Sequence, residues 1–361
     1  VTSPASAAVE EAAARWLLSL LRLPEGSGVG FVTGAQMANF TCLAAARGEM
    51  LRRAGWDVEE QGLQGAPKLN LVVGDAVHVT VLRALRFLGL GAGQVRRVPA
   101  DGQGRMVVSA LRDTLKGLEG PVIVCAQAGN VNTGAFDPLG DIADACAESG
   151  AWLHVDGAFG LWAAASPALR HLMDGAERAD SWVTDAHKWL NVPYDCGIAI
   201  VKDARAHRNA MTAKAPYLIQ QEGAAMDAVD WTPEFSRRAR GIPVYAQLRA
   251  LGRTGVASLV ARSCALARRA AAGLASIPGA EVLNEVVLNQ VLVRFSPSDG
   301  GDAGAFTRRV VERVQQEGTC WLSGSIWKGL DVMRFSVSGQ DTTEEDIDRS
   351  VAAIARMAMG G

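Results

Sequence analysis

Apolar residues recur at three- and four-residue intervals between Val1 and Leu23, a spacing that gathers them on one helical face, and Pro24 and Gly26 end the run. A second helical pattern extends from Ala35 to Ala54, followed by a glycine-containing loop over Gln61 to Pro67. The pattern then alternates. Apolar strands at Leu69–Val73, Val95–Val98 and Val122–Ala126 each precede a helical stretch, at Val79–Leu88, Val107–Leu118 and Leu139–Ala147. Further short apolar runs occupy Trp152–Val155, Trp182–Thr184 and Ile198–Val201. Short apolar strands interleaved with helices predict an α/β fold, with a largely parallel sheet covered on both faces.

After Pro243 the chain changes character. One long helix rich in Ala, Arg and Leu is expected from Val244 to Ala275, then strands at Val291–Phe295 and Val332–Val337 and helices at Ala305–Glu317 and Glu344–Met357. Ser296–Gly304 reads as a polar turn. The expected organisation is an N-terminal helical segment (1–29), a large α/β domain (30–243), and a linking helix with a small α+β domain (244–361). No internal repeat or low-complexity tail interrupts it.

A length of 361 residues fits this division into a larger and a smaller domain. Half of the residues are apolar (49%), a fifth are charged (20%) and the formal net charge is −2, so no single-sign field points to nucleic acid or an anionic membrane. Cys42, Cys125, Cys146, Cys196, Cys264 and Cys320 are scattered without a CxxC pair, which argues against zinc and thioredoxin-like chemistry. Buried free thiols in a reducing cytosol explain them, and a cytoplasmic protein is expected. There is no signal-peptide pattern. The nearest candidate for a membrane span, Ala12 to Leu23, is too short and contains Arg15 and Arg22.

Lysine is scarce: it occurs only as Lys68, Lys116, Lys188, Lys202, Lys214 and Lys328. Lys188 stands in Thr184-Asp185-Ala186-His187-Lys188-Trp189, where an apolar strand gives way to a polar turn. Burial disfavours the cation, so an amine at a partly dry strand end becomes nucleophilic and can form a Schiff base with an aldehyde cofactor. The plainer alternative, a loop lysine reaching into solvent, is far commoner in general.

Upstream, His154-Val155-Asp156-Gly157-Ala158 puts an acid at the carboxyl end of an apolar strand, where ligands sit in open α/β sheets. Asp156 can pair with a protonated pyridine nitrogen, and Ala158 leaves room for a flat ring; a turn-capping aspartate is the rival. Gly34-Ala35-Gln36 opens a helix with small residues, a place for an anion such as phosphate, though many helices begin this way. His78 opens another helix after a strand and could stack on a flat cofactor; a lone histidine there is usually structural. Taken in order, anion site, stacking histidine, strand-end aspartate and lysine reinforce one another. By contrast, Gly89-Leu90-Gly91-Ala92-Gly93 follows a helix and precedes a strand, the reverse of a dinucleotide-binding loop, and reads as a helix end and turn.

These segments resemble the signatures of the group II decarboxylases that depend on pyridoxal 5′-phosphate (PLP). Cys125–Pro138, Arg237-Arg238-Ala239-Arg240-Gly241 and Val332-Met333-Arg334-Phe335 are similar to further family segments, and the likeness spans roughly residues 5–355. The resemblance implies PLP-dependent transferase fold type I: a large domain with a mostly parallel seven-stranded sheet plus a small C-terminal α+β domain. It also implies a homodimer with active sites at the interface. It makes Lys188 the Schiff-base lysine, Asp156 the partner of the ring nitrogen and His78 the stacking residue. Ala35 and Gln36 would hold the phosphate with His187 nearby, Ala158 and Thr184 would line the cofactor, and Arg334 would bind a substrate carboxylate.

The implied activity is carboxy-lyase: decarboxylation of an L-amino acid, with an aromatic or other hydrophobic side chain preferred. Trp162, Trp321 and Trp327 are candidate pocket aromatics, although such residues more often serve the core or an interface. The chain departs from the family in three ways. The phosphate loop reads Gly-Ala-Gln-Met instead of carrying hydroxyl residues. The chain begins close to the cofactor motifs, where members usually carry an extra helical segment embracing the dimer partner; either this copy is trimmed or that region was not included. The stretch Ile219–Trp231 lacks the tyrosine that protonates the carbanion after carbon dioxide leaves; the tyrosines are Tyr194, Tyr217 and Tyr245. Competing readings on the same scaffold are an aldehyde-forming decarboxylase, an aldolase or lyase, and an aminotransferase. A degenerate PLP-binding protein without turnover is the reading from another class.

Overall fold

The structure, a computed structural model, describes residues 3–212 and 227–360. The chain divides into two compact units, Val1–Ala128 with Phe136–Ala257, and Gly129–Ala135 with Ser258–Gly361.

In the first unit, α1 (Pro4–Leu21) starts on a proline, whose missing N–H costs nothing at a helix start, and ends on left-handed Arg22. The strand β1 (Gly28–Val32) leads into α2 (Ala35–Arg53) and the short α3 (Val58–Gln61). The expected alternation follows: β2 (Asn70–Gly74), α4 (Val79–Phe87), β3 (Arg96–Val98), α5 (Val108–Lys116), β4 (Val122–Gln127), α6 (Leu139–Ser149) and β5 (Trp152–Asp156). The strands β6 (Ser181–Asp185) and β7 (Gly197–Val201) precede α7 (Ala204–Met211).

The seven strands form one sheet in the order β1-β7-β6-β5-β4-β2-β3. Pairings from β3 through to β6 are parallel, whereas β7 runs antiparallel to both β6 and β1. The reason is local: the link 186–196 carries no crossover helix, so the chain turns back beside β6. That turn holds His187 and Lys188. Against the sheet lies α2, whose Ala38, Cys42, Ala45 and Ala46 are fully buried; these small side chains let the helix approach closely. Trp152, Trp162 and Trp182 are the largest fully buried side chains.

The division between the units falls within α8 (Gly241–Ala275). One unbroken helix was expected here, but Gly252 takes φ 61° and ψ −177°, which interrupts the helical hydrogen bonding. A left-handed φ suits glycine and strains other residues, so the break sits where the sequence permits it.

In the second unit, β8 (Ala280–Val282), β9 (Gln290–Phe295), α9 (Ala303–Glu317), β10 (Ser323–Trp327), β11 (Leu330–Ser336) and α10 (Glu344–Met359) follow. Its antiparallel sheet has the order β10-β11-β9-β8, four strands where two were expected. Val291, Val293 and Phe295 of β9, Met333 and Phe335 of β11, Val310 and Val314 of α9, and Ile347 and Ile354 of α10 form one apolar core. A capping box between Thr343 and Asp346 starts α10. Five of the six cysteines are buried free thiols, and Cys320 is half-buried. Among the described residues no helix is long and apolar enough to cross a membrane.

Candidate active site

The adjacent parallel strands β5 and β6 end on acids, Asp156 and Asp185, and both carboxylates are buried. Asp156 Oδ1 accepts the Ala158 N–H at 3.1 Å and Oδ2 accepts Asn39 Nδ2–H at 3.2 Å. Burial pushes the Asp156 pKa up, while the charges of His78 and Lys188 and those two hydrogen bonds pull it down. Lys188 and His78, distant in sequence, thus act electrostatically on the same carboxylate.

Asp185 anchors the other side. Its Oδ2 lies 2.9 Å from Lys188 Nζ, and its Oδ1 accepts the Ala35 N–H at 2.6 Å. One carboxylate therefore ties the lysine to the first amide of α2. The Lys188 side chain is 38% exposed and its amine lies 5.9 Å from the Phe159 ring centroid. The N-cap residue itself, Gly34, offers no side chain and takes φ 148°, a backbone suited to glycine. A Cβ on Gly197 would come within 2.3 Å of Gly34, so β7 and the start of α2 touch through bare backbone. Gln36 and Met37 follow, and their first-turn amides have no intrahelical acceptor.

His187 Nδ1 accepts the Cys196 N–H at 3.1 Å, so its proton belongs on Nε2, 3.6 Å from Asp185 Oδ1. Burial lowers its pKa, opposed by Asp185. Tyr194 stacks on this ring at 4.1 Å. His78 caps α4, with Nδ1 2.8 Å from Thr80 Oγ1 and 3.3 Å from Thr80 N. The structural reading weighed against stacking takes this form, a helix cap that occupies one ring nitrogen. Thr184 Oγ1 donates to Ala158 O at 3.4 Å.

The first unit thus sets Lys188, Ala35 and His187 around the Asp185 carboxylate, with the charges of Lys188 and His78 acting on Asp156. Arg334 belongs to the second unit, on β11, where it donates to Val131 O at 3.4 Å and Ser323 Oγ at 3.2 Å. Its Nε is buried with no hydrogen-bond partner among the described residues, and burial lowers its pKa.

Two side chains in the site were not singled out from the sequence, Asn39 and Asp185. Asp185 was visible three residues before the lysine; Asn39 gave no signal beyond its place one turn after Ala35. Two of the candidate pocket tryptophans differ in setting. Trp162 is fully buried and donates to Asp185 O at 3.2 Å, and Trp321 is exposed. Tyr217 and most of Ile219–Trp231 lie outside the described residues.

The donor set suits PLP. It offers a primary amine for an aldehyde, a buried carboxylate for a protonated ring nitrogen, and, past the Ala35 amide held by Asp185, the Gln36 and Met37 amides at a helix N-terminus for phosphate.

The pyridoxal-dependent decarboxylase conserved domain matches residues 1–296. An aromatic-L-amino-acid decarboxylase from Bacillus atrophaeus is 31% identical over 93% of the chain, and an acidic amino acid decarboxylase from Mus musculus is 31% identical over 96%. The chain spans 70% of the first protein's length and 66% of the second's, the latter just under two thirds. The solved structure of Oryza sativa TDC with PLP and tryptamine superposes with a TM-score of 0.91 at 26% identity, covering 99% of this chain and 77% of that one. The chain belongs to the pyridoxal-dependent decarboxylases, PLP-dependent carboxy-lyases that act on amino acids.

Proposed function

We propose that this chain removes the α-carboxylate of an L-amino acid as carbon dioxide and leaves the amine. An aromatic or other hydrophobic side chain is preferred. The observation that carries the reading is the buried Asp156 carboxylate, on which His78 and Lys188 both act. The reading includes a homodimer with active sites at the interface, and a cytoplasmic location, which the buried free thiols support.

Bound at this site, PLP supplies a conjugated ring that takes up the electron pair released when a bond at Cα breaks. Lys188 would hold the aldehyde carbon and Asp156 would keep a proton on the ring nitrogen. His78 and Ala158 would flank the ring, with Thr184 holding the Ala158 carbonyl. Ala35, Gln36 and His187 would hold the phosphate. Asp185, bonded to both Ala35 N and Lys188 Nζ, fixes the spacing between the phosphate end and the tether. Arg334, with its unpartnered Nε, would take the substrate carboxylate. The carboxylate to be lost must stand perpendicular to the ring, so residues that orient the substrate choose the bond.

The lack of tyrosine in Ile219–Trp231 supports a second reading, oxidative decarboxylation to an aldehyde with dioxygen as oxidant. A panel of L-amino acids assayed for carbon dioxide, amine, aldehyde and keto acid separates the two. Aspartate and glutamate belong in it, because the acidic amino acid decarboxylase is as similar as the aromatic one. Keto acid without carbon dioxide would sink both readings. Lys188→Ala is expected to abolish turnover and the visible absorbance of bound cofactor; a retained band would assign the tether to another amine.

A further inference from the structure

Behind Asp156 runs a buried line of polar side chains with no part in the chemistry above. Trp152 Nε1 donates to Ser181 Oγ at 2.9 Å, and Ser181 Oγ lies 2.9 Å from His154 Nδ1. His154 Nε2 lies 2.7 Å from Asn39 Oδ1, and Asn39 Nδ2 donates to Asp156 Oδ2 at 3.2 Å. These residues come from β5, β6 and α2, and every one of them is buried.

The line has one direction. An ionised Asp156 can only accept, so Asn39 turns its NH₂ to Oδ2 and its Oδ1 to His154 Nε2, which must donate; His154 Nδ1 is then left to accept from Ser181 Oγ–H, whose oxygen takes the Trp152 indole N–H. Burial lowers the His154 pKa to about 3, so the ring is neutral and carries its single proton on Nε2. That proton is donated to Asn39 Oδ1, which turns the amide nitrogen toward Asp156. The amide's second N–H reaches Thr80 Oγ1 at 3.4 Å, the hydroxyl that meets His78. Flipping Asn39 would set its carbonyl against a carboxylate and its NH₂ against the imidazole N–H. Buried side chains more often bond to backbone, whereas here four successive links join side chain to side chain and end on a carboxylate.

We propose that Asn39, locked in one amide orientation by His154 and Ser181, is a positioning residue that holds Asp156 ionised and fixed for the ring nitrogen of PLP. Each Asp156 oxygen then spends one lone-pair site on the protein, Oδ1 on Ala158 N and Oδ2 on Asn39, and keeps another for the cofactor. His78 from α4 and Lys188 from the β6–β7 turn also face this carboxylate, as do the thiols of Cys42 on α2 and Cys125 on β4, both kept neutral by burial. The inference rests on Asp156 facing the ring nitrogen.

Holoenzyme loaded with PLP labelled with ¹⁵N in the ring tests it. The nitrogen resonance of the resting enzyme is followed with pH, and cofactor release is timed after dilution. Asn39→Leu keeps the size but cannot donate. It is expected to lower the apparent pKa of the ring nitrogen by on the order of one unit and to speed release roughly tenfold. Ser181→Ala touches neither Asp156 nor the site, yet frees the His154 tautomer, and it should shift the resonance the same way by less. If Asn39→Leu does not fold, Ser181→Ala decides alone. A resonance moved by Asp156→Asn but by neither other variant would overturn the role of Asn39 and leave the Asp156 reading standing. A resonance unmoved by Asp156→Asn would overturn both.

Discussion

The two sheets treat buried polarity differently. Around the four-stranded sheet three buried polar side chains serve backbone: Asn284 Nδ2 donates to Gln290 O at 2.9 Å, Asn289 Nδ2 donates to Val337 O at 2.7 Å, and Thr307 Oγ1 accepts from Phe295 N at 3.0 Å. Such bonds close turns and strand ends. Gln290 pairs with the side chains of Asn289 and Ser336 and leads to no buried carboxylate among the described residues. In the seven-stranded sheet the polar side chains at β5 and β6 bond mainly to one another and lead to Asp156. Burying a polar group costs free energy unless it is paired, and pairing two side chains fixes two rotamers where backbone pairing fixes one. The first arrangement holds a fold together; the second aims a functional group. Arg334 and Arg294 stand apart in the second unit, half-buried guanidinium groups whose Nε atoms lack a partner among the described residues.

The largest effect expected from this contrast is on the stability of the second unit. Phe295 is fully buried in the apolar core that α9 and α10 share with β9 and β11. Phe295→Ala should lower unfolding stability by about 3–5 kcal/mol, read from denaturant midpoints, with the resting cofactor spectrum unaltered in mild buffer. A loss below about 1 kcal/mol would mean that this apolar interior is not what holds the unit together.

The same contrast explains what could be read from the sequence. Strands β2, β4, β5 and β6 carry short apolar runs, and His78 follows β2, Asp156 ends β5 and Lys188 follows β6, so fold class and the outline of the proposed site were legible. The strand β1 was hidden by Gly28 and Gly30, which are there because a Cβ on either would strike Trp231. The edge strands β8 and β10 are short and only half-buried, which leaves little apolar signal. Asn39 was hidden because its partners are 115 and 117 positions away, joined only when α2 packs on the sheet. Local pattern shows where a chain turns; it cannot show which distant polar groups will share a proton.

A smaller effect separates the units by pH. Every histidine of the chain (His78, His154, His171, His187 and His207) falls in the first unit. Burial lowers the pKa of His154 to about 3 and of His207 to about 4, from 6.5. Above pH 6.5 both rings are neutral folded or unfolded. As pH falls below 6.5 the unfolded chain binds protons that the folded chain cannot, so stability drops until the folded pKa values are reached. Asp137, raised to about 6 by burial, opposes this, because the folded state takes up its proton first. His154→Gln stays neutral and isolates one histidine. The fall in stability from pH 6.5 to 5.5 should shrink by about 1 kcal/mol relative to wild type. An unchanged slope would mean that His154 is already charged in the fold and that the directed line to Asp156 does not exist.

The smallest effect marks where specialisation within the first unit stops. At the site, Gly197 meets Gly34 with no space for a Cβ; in the turn before β3, Gly93 has nothing within 4 Å of where its Cβ would stand. Its neighbours Gly89 and Gly91 both take φ 74°, so they need to be glycine, and Gly93 does not. Gly93→Ala should therefore raise stability by about 0.5 kcal/mol, because the unfolded chain loses freedom while the fold loses nothing. Cofactor release should stay at the wild-type rate. A faster release would place ligand chemistry in that glycine-rich turn and so extend the specialised part of the seven-stranded sheet to its far edge.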